Sequence, residues 1–409
     1  MDNKIEIMAP AGNFEALAAA IQGGANSVYF GIGELNMRSH SANNFAPEDL
    51  KKITEICAQN NVKSYLTLNI ILYDEELEKA KEVLNLAKEA GVSAVIASDI
   101  SAILYARSIG LEVHISTQAN ISNIEAVRFY AQYADVVVLA RELTLTQVKK
   151  IYETIHRENI CGPAGEPVRI EMFCHGALCM AVSGKCYMSL HEYNHSANRG
   201  SCFQVCRRGY KVTDMETGWE MEIDNKYIMS PKDLCTIDFL DVMTDAGVRV
   251  LKIEGRARSA EYVKKVVSAY RKAADAIEKG EYSAQMTVPL KEELSEVFNR
   301  GFWGGYYQGA KLGEWCNVYG NSATKKKTYI GRVTNYFSKL QVAEIQVEAA
   351  PIKVGTHLMI IGPTTGVIEF DIPEIRVDCQ SADEAVQGTA CSIPCTEKVR
   401  RADKVFIFE

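Results

Sequence analysis

The chain has 409 residues, 47% hydrophobic and 24% charged, with a formal net charge of −7. That length supplies one large core of about 250–300 residues and a smaller one. No stretch reaches the ~18 apolar residues of a membrane span, and the acidic balance argues against nonspecific coating of nucleic acid, though a local basic face could still bind RNA. The opening MDNKIEIMAPAGNFEAL has none of the sections of a secretory leader and runs straight into a strand pattern. A cytoplasmic location is therefore expected, and twelve cysteines in a reducing compartment suggest metal ligation or redox work rather than disulfides.

Strands are predicted at Ile5–Ala9, Ser27–Gly31, Lys63–Ile70, Ala94–Ser98, Glu112–Thr117, Val136–Ala140, Arg169–Cys174 and Arg249–Glu254. Amphipathic runs lie between them, among others Ala46–Gln59, Glu75–Glu89, Ile124–Tyr133, Thr144–Glu158 and Thr236–Thr244. Ala260–Glu278 follows the last strand, and Gly24, Gly91 and Gly110 stand where helices should stop. Eight strands alternating with helices predict a (β/α)8 TIM-like barrel over residues 1–280, in preference to an open doubly wound sheet. The first βα loop reads APAGN, which is no dinucleotide fingerprint.

One connection is abnormal. After Arg169–Cys174 roughly fifty residues, 175–225, pass before a recognisable element resumes, against a usual connection of about 2–6. This insertion leaves the end of a strand at the face where barrel enzymes place their chemistry. Residues 281–325 read as a linker packed on the barrel. Residues 326–409 read as a small all-β barrel domain, with strands at Tyr329–Thr334, Leu340–Val347, His357–Ile361, Val367–Ile372 and Lys404–Phe408. Lys325–Lys327, Lys398, Arg400, Arg401 and Lys404 give it a modest basic surface.

The insertion reads HGALCMAVSGKCYMSLHEYNHSANRGSCFQVCRRGY, placing Cys179, Cys186, Cys202 and Cys206 at spacings of seven, sixteen and four. Four thiolates converging on one point suit a tetrahedral zinc or a [4Fe–4S] cluster, and spacing alone does not choose between them. Arg199, Arg207 and Arg208 would favour the thiolates. Cys57 reads as core, Cys174 as a neighbour of the site, Cys235 as a substitute ligand, and Cys391 and Cys395 as structural. His191-Glu-Tyr-Asn-His195 fits the HExxH zinc-protease pattern, but that pattern needs both histidines on one helix face and the surroundings read as loop.

APAGNFEALAAAIQGGANSVYFGIGELNMRSHSANNF, HISTQANISN, VVLARELTL, FCHGALCMAVSGKC, NRGSCFQVCR, SPKDL and LKIEGRARSAEYV together resemble the collagenase-like peptidase U32 family. The resemblance spans about residues 5–275 and weakens through the small β domain. It implies a [4Fe–4S] cluster on Cys179, Cys186, Cys202 and Cys206. It also implies an activity like that of the family's tRNA hydroxylases, which make 5-hydroxyuridine at the wobble position with prephenate as donor. Relatives hydroxylate a ribosomal RNA cytidine or act in ubiquinone synthesis. tRNA, a small dicarboxylate and a redox partner are the expected partners.

Strand-end polar residues should line the barrel mouth: Asn69, Asp99, Gln118, Arg141, Glu142, His175, Lys252, Glu254 and Arg256. Arg38, Arg141, Lys252 and Arg256 are candidate clamps for a dicarboxylate, with Asn69 and Gln118 beside them. Mutual ion pairing with Glu142 and Glu254 is the competing role. His175, Arg141 and Glu254 are the expected catalytic groups, His175 as a proton-transfer group or else as a support for the start of the insertion. Peptidase chemistry is the alternative activity, although no GxSxG elbow accompanies the seven histidines. A third alternative is a noncatalytic cluster in a partner complex.

Overall fold

The computed structural model describes residues 4–40, 44–221, 227 and 229–409. The last few residues assigned to the cysteine-rich loop, 222–225, lie outside the described residues, and all four of its cysteines lie inside them. Eight parallel strands close on themselves: β1 Glu6–Pro10, β2 Ser27–Phe30, β3 Lys63–Leu68, β4 Ala94–Ala97, β5 Glu112–Ile115, β6 Val136–Val138, β7 Arg169–Gly176 and β8 Val248–Ile253. Each pairs with the next, β8 pairs with β7, and Glu6 opposite Val250 shuts the ring. This is the (β/α)8 barrel that the alternation predicts.

Helices α1 Phe14–Gln22, α2 Leu50–Gln59, α3 Leu77–Glu89, α4 Ile100–Ser108, α5 Ile124–Tyr130 and α6 Leu145–Arg157 cover the outside. Their starts are chemically marked. Asn13 accepts from the Ala16 amide at 2.8 Å, and Thr144 and Gln147 form a capping box. Outward-facing strand residues pack with these helices in the main core, while Met8, Tyr29, Tyr65, Ile96, Val136 and Val250 form a separate cluster inside the ring. Period-two alternation in a barrel strand sends neighbours to these two sides.

Among its described residues the insertion carries one short α-helix, α7 Met188–Tyr193, and the chain then returns as the strand Asp233–Cys235, antiparallel to the end of β7. α8 Leu240–Asp245 precedes β8, and α9 Ala260–Lys279 and α10 Ala284–Ser295 follow it. Within 281–325, Phe302–Trp303 pairs with Asp233–Cys235, and Tyr307 donates to the Phe173 carbonyl at 2.9 Å. This stretch thus extends the barrel sheet at the mouth.

The C-terminal residues form one eight-stranded antiparallel sheet, from Gly366–Asp371 at one edge to Gln380–Ala382 at the other. Inward residues of its strands, including Ile330, Ile345, Ile368, Ile393 and Val405, share one core, so the sheet curls around it. Cys391 and Cys395 are buried there, and Pro394 ends the strand Ala390–Pro394. Gln22 clasps this sheet to the barrel through Thr365 and Val367. Part of the expected basic surface is spent on the same contact, since Lys325 pairs with Glu296 and Lys327 with Glu261. Among the described residues, no helix is long and apolar enough to cross a membrane.

Candidate active site at the barrel mouth

The carboxyl ends of the strands and the insertion enclose one pocket. Its wall carries Arg38, Asn69, Gln118, Arg141, Lys252, Glu254 and Arg256, and its lid carries Cys179, Cys186, Cys202 and Cys206. The fold therefore brings together every residue singled out for the site except His175, and leaves out Asp99 and Glu142 as well.

The wall is an arginine cluster organised around one carboxylate. Glu254 follows β8 and accepts from Arg38 at 2.8 Å. Burial would raise its carboxyl, but Arg38, Arg141 and Arg256 pull it down to about 2. Glu254 is thus a fixed anion at neutral pH and a poor base. Burial lowers Arg256 to about 10, so it stays charged, and it donates to Asn36 at 3.0 Å and Thr67 at 2.9 Å. Gly31 makes room for this: a Cβ there would meet the Arg256 guanidinium at 2.4 Å.

Arg141 lies flat over the Phe173 ring at 3.8 Å and donates to the Ala177 carbonyl, while its buried Nε has no partner. Arg141 lines the pocket, and its guanidinium charge suits an incoming carboxylate. Lys252 is held by Glu171 at 2.5 Å. Asn69 and Gln118 contact each other at 3.4 Å, and Asn69 also accepts from the Met37 amide at 3.2 Å.

In the insertion, Cys186, Cys202 and Cys206 are half-buried and Cys179 is exposed. Burial pushes the Cys206 thiol up to about 11, against the pull of Arg207, and the other three thiols act on it electrostatically. Of the three arginines expected to favour thiolates, only Arg207 lines the pocket. Arg199 is engaged by Glu76 and Arg208 by Glu192. Arg207 instead ties the loop together, donating to the carbonyls of Leu178 and Pro231 and to the Ser230 hydroxyl.

Among the described residues, no three His, Cys, Asp or Glu side chains form a group that could hold a metal ion. The donor set that does face the pocket is four thiols with no histidine, the ligand type of an all-cysteine zinc or iron–sulfur site.

His175 is placed differently from the proton-transfer role. Its ring is buried among Tyr262, Tyr270 and Phe302, and burial lowers its pKa to about 3. Its carbonyl accepts from Glu254 N at 2.9 Å, so it supports the strand ends from behind the pocket. Strand alternation explains the miss: β7 ends in a bulged pairing with β8 that turns His175 away from the mouth. Asp99 caps α4, and Glu142 is exposed. Cys235 is buried beside Tyr270 and does not line the pocket that the four loop cysteines share.

The HExxH segment is helical at its start, contrary to a pure loop. α7 nevertheless stops at Tyr193, where Asn194 adopts a left-handed φ of 56°, so His195 falls off the helix face that carries His191. Tyr29, Thr67, Phe173 and Arg258 also line the pocket and were missed. Thr67 and Phe173 sit one strand period below the strand ends, so counting back two residues finds them. Arg258 had no such signal.

A (β/α)8 barrel with a thiol-bearing lid over a cation-rich mouth is the class that fold and site define. A family model described as peptidase family U32 matches residues 12–317, and the chain belongs to that family. A "Collagenase" of Porphyromonas gingivalis is 57% identical over 407 residues, covering 100% of this chain and 98% of that protein. "tRNA hydroxylation protein P1" of Bacillus subtilis is 35% identical, covering 88% of this chain and 84% of that protein. "23S rRNA 5-hydroxycytidine C2501 synthase" of Escherichia coli is 34% identical, covering 76% of this chain and 46% of that protein.

Proposed function

We propose that the chain is an RNA-modifying enzyme that hydroxylates a pyrimidine base, with the wobble uridine of tRNA as target and prephenate as donor. Cys179, Cys186, Cys202 and Cys206 would hold a [4Fe–4S] cluster. The observation that carries the reading is the sharing of one pocket by four thiols and an arginine–lysine wall. The relatives named for tRNA and rRNA hydroxylation support it.

When bound, the cluster supplies an iron centre for electron transfer or Lewis-acid chemistry. The chain's own residues do the rest. Arg141 offers its guanidinium to a carboxylate of the donor, Lys252 supplies a second cation, and Arg38 and Arg256 are fixed by Glu254, Asn36 and Thr67 so that the wall keeps its shape. The base must leave its stack to reach the pocket, which an anticodon loop already permits. Anaerobic purification with iron and sulfide analysis tests this reading. About four of each per chain, lost in Cys202→Ala, and 5-hydroxyuridine formed in tRNA would support it. One zinc and no sulfide would sink it.

A peptidase is the second reading, favoured by the name of the 57% identical relative. Among the described residues, the pocket has no histidine beside its serines or cysteines. Gelatin cleavage by homogeneous protein, abolished by Glu192→Gln, would decide for it.

A further inference from the structure

Barrel interiors are ordinarily filled by apolar layers. Here the interior also carries a chain of ionisable side chains running from the floor, where the strands begin, to the pocket. Lys252, at the pocket end, is almost fully buried and bonded to Glu171, which is 0% exposed. The ammonium also lies 4.8 Å from the Tyr29 ring centre and 5.5 Å from that of Phe173. The second oxygen of Glu171, Oε2, makes no hydrogen bond. It faces Nδ1 of His114 at 3.8 Å, and that nitrogen is likewise buried and unpartnered. On the other side of the ring, Nε2 is 3.1 Å from Glu112, whose side chain is 43% exposed at the floor.

The tautomer follows from these partners. An ionised Glu112 can only accept, so Nε2 carries a proton and donates it. With His114 neutral, Nδ1 would then present a lone pair to the lone pairs of Glu171 Oε2, leaving two acceptors facing each other in a dry core. One additional proton on Nδ1 replaces that opposition by an ion pair across the 3.8 Å gap.

The charges around the ring point the same way. Glu112 on β5, Glu171 on β7 and Glu6 on β1 are three carboxylates close to His114. Arg169 pairs with Glu6, and Lys252 pairs with Glu171. Lys63 on β3 acts on Glu112 from the solvent side. Tyr65 on β3 packs 4.5 Å from the imidazole and gives its own hydroxyl proton to Glu6. A protonated His114 would stand between the carboxylates of Glu112 and Glu171.

We propose that Glu171 and His114 store one proton in the barrel core and couple it to the charge of Lys252 in the pocket. The step is balanced. Lys252 breaks an N–H bond and gives the proton to a group bound in the pocket, keeping the electron pair as a neutral amine. Glu171, no longer holding a cation, takes the proton on His114 Nδ1 and becomes a carboxylic acid, leaving a neutral imidazole. The core loses one positive charge with the proton delivered, and regains it when the amine takes a proton back in the pocket and Glu171 returns its own to Nδ1. Glu171 and His114 are positioning residues, and only Lys252 touches the ligand.

The role of Lys252 toward a ligand rests on the proposed function, whereas the stored proton does not, and the test separates them. Histidine-selective ¹⁵N labelling reads the two ring nitrogens of His114 directly, with His114→Asn to assign the signal. Nδ1 should read as protonated or proton-sharing in the wild type at neutral pH and as a bare lone pair in Glu171→Gln. A bare Nδ1 in the wild type, unmoved by Glu171→Gln, overturns the proposal. Calorimetric binding of prephenate in buffers of different ionisation heat gives the second readout. The wild type should exchange a fraction of a proton on binding, and Glu171→Gln and His114→Asn should exchange none. Equal exchange in all three overturns the coupling. Failure of prephenate to bind at all would count against the donor in the proposed function, and the imidazole signal would still decide the stored proton.

Discussion

Replacing Glu254 by Gln removes the one carboxylate around which Arg38, Arg141 and Arg256 are arranged, while nearly keeping its shape. Its carboxyl is held at about 2 against an ordinary 4.5, and at about 1.36 kcal/mol per pKa unit this is worth ~3 kcal/mol as an upper bound. The depressed pKa fixes the sign: the contribution is fully present above about pH 4.5 and is lost as pH falls toward 2. Urea unfolding at pH 7 should therefore show Glu254→Gln less stable by up to ~3 kcal/mol. The gap from wild type should close progressively below about pH 4.5. The uncompensated arginines also make a forecast about ligand. A dicarboxylate at about 100 times its Kd should return about 2.7 kcal/mol to any form it binds, and less ligand should be needed in the variant. Equal stability of both proteins at pH 7, or a gap that stays constant from pH 6 to pH 3, would refute the assignment of Glu254 as the fixed counter-ion.

Arg207→Met removes the donor that ties Leu178, Ser230 and Pro231 together. Loosening by ~2 kcal/mol should appear as faster proteolytic nicking within the insertion, with thermal unfolding of the barrel little changed. Gly200→Ala forces a Cβ into a left-handed backbone, φ 82°, and within 2.1 Å of the Ser39 hydroxyl. It should cost about 1–3 kcal/mol in thermal or urea unfolding. His175 is held neutral at about 3, well below its ordinary 6.5, so stability should fall as pH drops from 6.5 toward 3. His175→Phe should flatten that slope, by about 2 kcal/mol near pH 5, as read from urea midpoints across the range.

The barrel itself was legible. Each strand from Ile5–Ala9 to Arg249–Glu254 is a short β-rich run followed by a helical pattern, and eight such units leave little choice of architecture. The position of the cysteines in an oversized loop after a strand was enough to place them at the mouth. Strand-end residues such as Asn69, Lys252 and Arg256 were legible for the same reason, because chain direction fixes which end of a parallel strand faces the mouth.

What side chains do once there was not legible. Whether Glu254 acts as a base or as a counter-ion depends on Arg38 and Arg141 from other loops as well as on Arg256 beside it, and no local pattern records that they converge. His175 occupies a strand end as Lys252 does, yet a bulge in the β7–β8 pairing turns it into an aromatic cage. The Lys252–Glu171–His114 chain is likewise invisible in one dimension, since its members come from β8, β7 and β5. Local sequence sets periodicity, caps and turns, which determine the elements. Closing the barrel sets the distances between residues far apart in the chain, and charge, burial and proton position at the site depend on those distances.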